Sequence, residues 1–156
     1  MFKLLAVMLL SAVTLNASDL PSKEYLNLAA VKRMVTASEA KAKELNVGVT
    51  ICVVDESGNL LFLEKGDGAS LNTIQFAQKK ARHAAFYGVP SREGAESLKN
   101  GNLDVLTFPN YFPNQGGLPV RIDGQVLGGI AASGAKSEID EQIAQAGLDA
   151  LLEHFR

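Results

Sequence analysis

Four side chains that can do chemistry follow one another at intervals of four, three and four residues. They are Phe76, Lys80, His83 and Tyr87, and this spacing places them on one face of a helix. A ring nitrogen of His83 can bind the iron of haem, and the aromatic rings offer stacking surface. Lys80 or Arg82 can pair with a haem propionate. The alternative is a surface histidine on a mildly basic helix face.

Other side chains offer rival chemistry. Tyr111, in an aromatic and proline-rich stretch over 101–115, is a second candidate iron ligand by chemistry alone. Asp55 and Asp67 are candidates for general acid and base in an enzyme that acts on a small organic acid. Serine-histidine-aspartate, clustered-histidine and paired-cysteine patterns are all missing from the sequence. Enzymatic activity therefore stays open, with the balance against it.

The N-terminus has the layout of a secretory signal peptide. Lys3 precedes an apolar run from Leu4 to Leu15, and polar residues follow directly. The run is shorter than the roughly 20 apolar residues that span a bilayer. We expect cleavage after Ala17, export to the periplasm or the cell exterior, and no membrane span after cleavage.

Length and charge restrict the remaining chain. Residues 18–156 are enough for a single domain with its own core. The net charge of −2 and the absence of a basic block argue against nucleic acid as a partner. Cys52 is the only cysteine, so an internal disulfide is excluded, and its apolar surroundings indicate a buried thiol.

Periodicity and turn residues predict an α+β domain. The predicted elements are helices over 25–45, 70–87 and 91–99, strands over 49–54, 60–64, 118–122 and 126–132, and a last helix capped by Ser137. Asp123-Gly124 is a strong signal for a two-residue hairpin. Asp140, three residues after Ser137, completes a capping-box pattern. This order favours an antiparallel sheet with helices packed against it.

A series of short motifs resembles one family. In order, they are Val53–Leu60 (VVDESGNL), Asp67–Ala69 (DGA), Lys80-Ala81, Gly116–Val120 (GGLPV), Asp123-Gly124, Gly128–Gly134 (GGIAASG), Asp140-Glu141 and Ala144–Gly147 (AQAG). The series is similar to the GlcG/HbpS-like family, a haem-binding or haem-degrading group that includes the C-terminal domain of PduO-type proteins. Where many members carry a small hydroxyl residue after the Lys-Ala pair, this chain has Arg82-His83.

The resemblance implies a fold and a function. The fold is a profilin-like, three-layer α/β/α sandwich, and the assembly is a homo-oligomer, often an octamer. The function is haem binding outside the cytoplasm, linked to haem uptake, degradation or redox sensing. The resemblance and the chemistry of the side chains together make His83 the best candidate for the metal ligand, assisted by Lys80, Phe76, Tyr87 and Tyr111. A small-ligand or sensor-accessory module that never binds haem is the main alternative.

Overall fold

The computed structural model describes residues 22–155. The predicted signal peptide, residues 1–17, lies outside the described residues. The helices are α1 (Leu28–Glu44), α2 (Thr73–Tyr87), α3 (Ser91–Lys99) and α4 (Ser137–Leu152), and the strands are β1 (Thr50–Asp55), β2 (Leu60–Lys65), β3 (Gly117–Ile122) and β4 (Gln125–Ser133). Short 3₁₀ helices span Leu103–Thr107 and Glu153–Phe155. The described part of the chain contains no helix long and apolar enough to cross a membrane.

The four strands form one antiparallel sheet in the order β2-β1-β4-β3. Asp123 and Gly124 join β3 to β4, and their φ angles of 44° and 81° are those of a type I′ turn. Asp55 closes the β1–β2 turn, because its carboxylate accepts hydrogen bonds from the backbone N–H groups of Ser57 and Asn59. Both predicted hairpins are therefore confirmed.

Alternate residues of β1 enter two different hydrophobic layers. Ile51 and Val53 pack in the layer that α1 and α4 share with the sheet, whereas Cys52 and Val54 pack against α2. This alternation follows from the two-residue period of a strand. The thiol of Cys52 is fully buried, as predicted, and burial raises its pKa to about 12.

Small residues let α2 lie close to the sheet. Ala77, Ala81 and Ala85 form its inner face, and a Cβ on Gly129 would lie only 2.2 Å from the backbone oxygen of Ala81. On the other side, α1 and α4 touch where Ser38 Oγ donates to the carbonyl of Ile143 at 2.9 Å. The predicted α+β, three-layer α/β/α sandwich with an antiparallel sheet is confirmed.

One predicted detail at the start of α4 is wrong. The side chain of Ser137 does not cap the helix, whose N-cap position is Lys136, and no side-chain cap bond is present there. Asp140 points into the protein, where its Oδ1 accepts a hydrogen bond from the N–H of Ala135 at 2.9 Å. The spacing of a capping box was present, but a buried cation attracts this carboxylate more strongly than the helix end does.

Candidate functional site

His83 lies near the C-terminal end of α2, on the side that α3 and the following segment cover. Its side chain is fully buried. The imidazole ring packs against the rings of Tyr87 and Tyr111, with centroid distances of 5.2 and 4.4 Å. The interpretation of His83 as a surface histidine is therefore wrong, because it ignored residues that follow almost thirty positions later.

Hydrogen bonding fixes the state of the His83 ring. The backbone N–H of Phe112 donates to Nδ1 at 2.9 Å, so Nδ1 presents a lone pair and the neutral ring carries its proton on Nε2. Nε2 is buried and has no hydrogen-bond partner among the described residues. Burial lowers the pKa of His83 to about 4, so the imidazole is neutral at pH 7.

A short aromatic segment, residues 108–112, covers this histidine. Phe108 packs edge-on against Tyr111 at 5.8 Å, and Tyr111 packs edge-on against Tyr87 at 5.0 Å. The hydroxyl of Tyr87 donates to the carbonyl of Pro109 at 2.7 Å. Phe112 reaches the exposed ring of Phe76, with the centroids 5.8 Å apart. The sequence predicted the aromatic character of this stretch, and the structure brings it onto the helix stripe.

Helix α3 forms another wall of the histidine site. A Cβ on Gly94 would lie 2.9 Å from Cε1 of His83 and 3.1 Å from Cε1 of Tyr111. The first distance is shorter than Cβ atoms make in real proteins and the second is unusually tight, so any larger residue at position 94 would displace the His83 and Tyr111 rings or α3. Gly94 was not predicted as a site residue, and its helical neighbours give no signal of the contact.

An open, positively charged pocket lies beside the aromatic segment. The pocket has a volume of about 320 Å³, and its lining residues are Lys79, Arg82, Asn110, Tyr111 and Phe112. The ammonium group of Lys79 stands 5.5 Å from the ring centroid of Phe112, a distance that allows a cation–π interaction. Arg82 is held by a hydrogen bond from Nε to the carbonyl of Gly58 at 3.0 Å. We call this the cationic pocket.

Lys80 does not take part in that pocket. Its side chain is 2% exposed, and Nζ contacts Oδ2 of Asp140 at 2.7 Å and the carbonyl oxygen of Ala132 at 3.2 Å. Burial lowers the pKa of Lys80 and raises that of Asp140, while the pairing opposes both shifts. In this structure Lys80 joins α2 to α4 and presents no charge to a surface ligand.

Gly116 and Gly117 make room for this ion pair at the start of β3. A Cβ on Gly116 would lie 2.8 Å from Nζ of Lys80, and a Cβ on Gly117 would lie 2.3 Å from the backbone oxygen of Lys80. The partner, Asp140, is 60 residues away in the chain. The sequence shows both charges but not their contact, so the prediction of Lys80 as a propionate ligand missed the pairing.

The two candidate catalytic acids lie apart. Asp55 ends β1, whereas Asp67 follows β2, which runs antiparallel to β1. The β1–β2 hairpin therefore separates them by about five residues of strand, or roughly 16 Å. Asp67 lines a separate cavity of about 440 Å³ together with Glu39 and Glu64. The structure gives Asp55 and Asp67 no shared site, and Asp55 serves the turn.

The structure thus brings together four of the five predicted ligand residues. His83, Tyr87 and Tyr111 touch one another, and Phe76 joins them through Phe112. Within the described residues there is no group of three or more histidine, cysteine or acidic side chains that could hold a metal ion by itself.

Comparisons with known proteins identify the family of this chain. A family described as haem-degrading protein, HbpS-like, matches residues 26–149. An uncharacterised 15.0 kDa protein from the dhaT-dhaS intergenic region of Citrobacter freundii is 33% identical over 132 residues, which are 82% of this chain and 93% of that protein.

Two solved structures are similar in fold and sequence. A double mutant of HbpS from Streptomyces reticuli superposes with a TM-score of 0.80 at 30% identity, over 90% of this chain and 97% of that one. A haem complex of PduOC superposes with a TM-score of 0.75 at 25% identity, over 81% and 95% of the two chains. This second relative was solved with haem bound.

Proposed function

Because this chain belongs to the HbpS-like family of haem-degrading proteins, we propose that it binds haem between α2 and the aromatic segment. The observation that carries the proposal is the imidazole of His83, which is neutral, surrounded by aromatic rings and left with a buried Nε2–H that has no acceptor among the described residues. Neutral imidazole is a common axial ligand of haem iron. The haem complex of the related PduOC adds support.

The cationic pocket suits the rest of a haem group. Lys79 and Arg82 supply positive charge for propionates, and Arg82 can do so in a fixed orientation because Gly58 holds its Nε. Tyr111 and Phe112 offer ring faces beside these charges. Of the two residues first expected to pair with a propionate, Lys80 and Arg82, this proposal keeps Arg82 and replaces Lys80 by Lys79, since Asp140 neutralises Lys80.

The residues fit haem in chemistry, and access is the remaining requirement. A pocket of about 320 Å³ is at the small end of the roughly 300–1,000 Å³ range of ligand sites, and His83 lies behind the rings of the aromatic segment. When bound, haem supplies the redox and oxygen chemistry. The chain would hold it through a ring nitrogen of His83, through the charges of Lys79 and Arg82 on the propionates, and through rings that exclude water.

Export and self-association complete the proposal. We infer that the protein is exported, periplasmic or extracellular, and serves haem uptake, degradation or redox sensing. Lys3 and the apolar run behind it support export. Exposed apolar side chains on and just before α2 and around the first 3₁₀ helix support a homo-oligomer, and they are Leu71, Phe76, Phe86, Leu103, Leu106 and Phe108. An octamer is the size that the family resemblance implies.

Titration of the protein with haem tests the central claim. We expect a shifted Soret band at micromolar haem in the wild type. We expect His83→Ala to change the position of the band or abolish the shift. His154→Ala is the matched control, because it removes the other histidine at an exposed site far along the chain. Failure of the wild type to shift the Soret band at micromolar haem would reject haem binding.

The cationic pocket also supports a second candidate function, a module for a small carboxylate ligand without iron. Lys79 and Arg82 are accessible without any movement, whereas His83 is not. Metal-free protoporphyrin separates the two functions, since it has the ring and the carboxylates but no iron. Equal binding of haem and protoporphyrin, with neither affected by His83→Ala, would favour the carboxylate module. Tighter binding of haem that depends on His83 would favour the haem protein.

A further inference from the structure

We infer that the peptide N–H of Phe112 is a latch that holds His83 in a form unable to bind metal until the aromatic segment moves. The inference rests on the proposed function, because it concerns how the haem ligand becomes available. It makes Phe112 a positioning residue that acts through its backbone. It also predicts that the protein binds haem through an opening step.

The first step of the argument is the tautomer. A backbone N–H can only donate, so the 2.9 Å contact from Phe112 requires a lone pair on Nδ1. The neutral ring has a single proton, which must then sit on Nε2. A metal needs a nitrogen lone pair. The only lone pair in the plane of the ring is already used by Phe112, so neither nitrogen of His83 can bind iron in this state.

The second step is burial. The imidazole is fully buried between Tyr87, Tyr111 and the backbone at Gly94. Its Nε2–H is a donor without an acceptor among the described residues, and an unsatisfied buried donor destabilises the state that contains it. The latched form is thus held by one hydrogen bond and by ring packing, and is opposed by this unsatisfied donor.

The third step is the way in which the aromatic segment is held. In the aromatic segment and the three residues that follow it, 108–115, the backbone-to-backbone hydrogen bonds are local, as from Tyr111 to Phe108 and from Asn114 to Phe112. Side chains make its hydrogen bonds to the helices, from Tyr87 to Pro109, from Ser91 to Asn114, and from Phe112 to His83. Such a segment can separate from α2 without breaking the sheet.

Two substitutions at one position isolate the latch. Phe112→Pro removes both the ring and the N–H, whereas Phe112→Ala removes the ring and keeps the N–H. The loss of aromatic cover is common to both variants, so a difference between them reports the backbone change at position 112, where proline lacks the N–H and has a fixed φ. The residue that follows is already a proline, so the chain there is extended or turning in both variants.

The probe is acylation of histidine by diethyl pyrocarbonate, which needs a free ring nitrogen and no haem. We expect His83 to react about fivefold faster in Phe112→Pro than in Phe112→Ala, the factor expected for loss of one ordinary hydrogen bond. His154, measured in the same samples by mass spectrometry, should react equally in both. Equal rates at His83 in the two variants would overturn the latch.

Nitrogen NMR of the wild type gives a second test that needs no variant to fold. We expect the His83 ring to be the neutral tautomer with its proton on Nε2, and the other tautomer would overturn the inference. The haem titration is independent of both measurements. A latched His83 in a protein that never binds haem would refute the proposed function alone.

Discussion

The ion pair between Lys80 and Asp140 gives a sharp prediction about stability. Both side chains are about 2% exposed, with 2.7 Å between Nζ and Oδ2. Replacing one partner leaves a buried charge without its counter-ion, which costs about 3–5 kcal/mol. A domain of this kind has a free energy of unfolding of roughly 5–15 kcal/mol. Lys80→Met or Asp140→Asn should therefore remove a large share of the stability.

The double variant shows whether the two side chains stabilise the fold as a pair or independently of each other. With Lys80→Met and Asp140→Asn together, no charge is left buried, and the amide oxygen can still accept from Ala135. We expect the double variant to be more stable than the sum of the single losses by about 2 kcal/mol or more. Urea unfolding followed by circular dichroism at pH 7 measures all three. Lys79→Met, an exposed lysine on the same helix, should cost no more than about 0.5 kcal/mol.

The pH dependence of the stability of the Lys80→Met variant provides a second test. Burial raises the pKa of Asp140, and Lys80 is the largest influence that lowers it. In Lys80→Met the folded-state pKa should therefore lie well above its unfolded value. Stability is then greatest below the unfolded pKa and decreases as the pH rises through the folded one. The reasoning would be refuted if the losses in unfolding free energy of Lys80→Met and Asp140→Asn simply added up in the double variant. It would also be refuted if each single substitution cost less than about 1 kcal/mol.

Three further predictions concern the layers around α2. Since the folded pKa of His83 is about 4 and the unfolded value is about 6.5, wild-type stability should fall as the pH drops from about 6.5 to 4. The loss, on the order of 3 kcal/mol for the whole shift, should disappear in His83→Gln when urea unfolding is repeated across this range. Gly94→Ala should lower the free energy of unfolding by about 1–3 kcal/mol, because its Cβ would lie 2.9 Å from the His83 ring. Glu96→Ala, on the exposed side of α3, is the control and should leave thermal unfolding nearly unchanged. Gly129→Ala should cost about 3 kcal/mol or more, because its Cβ would lie 2.2 Å from the backbone oxygen of Ala81; near-wild-type urea unfolding would contradict that close approach.

Local patterns predicted the elements well. Strand β1 is a β-branched, apolar run, and Asp123-Gly124 is a hairpin turn that depends only on neighbouring residues. Helix α3 over Ser91–Lys99 agrees with its predicted bounds. The first 3₁₀ helix, over Leu103–Thr107, was missed inside the stretch 101–115 because a single short turn has no period to detect.

The stripe on α2 shows where prediction of the site ended. The spacing of Phe76, Lys80, His83 and Tyr87 correctly placed them on one side of a helix. The spacing of a helix cannot tell whether that side faces water. At His83 the stripe is covered by α3 and the aromatic segment, and at Lys80 by Asp140 of α4, and these elements meet it only after the chain has turned back.

The sequence by itself determined the hairpins, the family and the presence of one histidine among aromatic residues. These features depend on neighbours in the chain and on the order of motifs. The tertiary structure decided that Asp140 neutralises Lys80 instead of capping α4, and that Phe112 occupies Nδ1 of His83. These contacts join residues 60 and 29 positions apart. Burial makes them strong, and burial is a property of the packed layers that no local pattern contains.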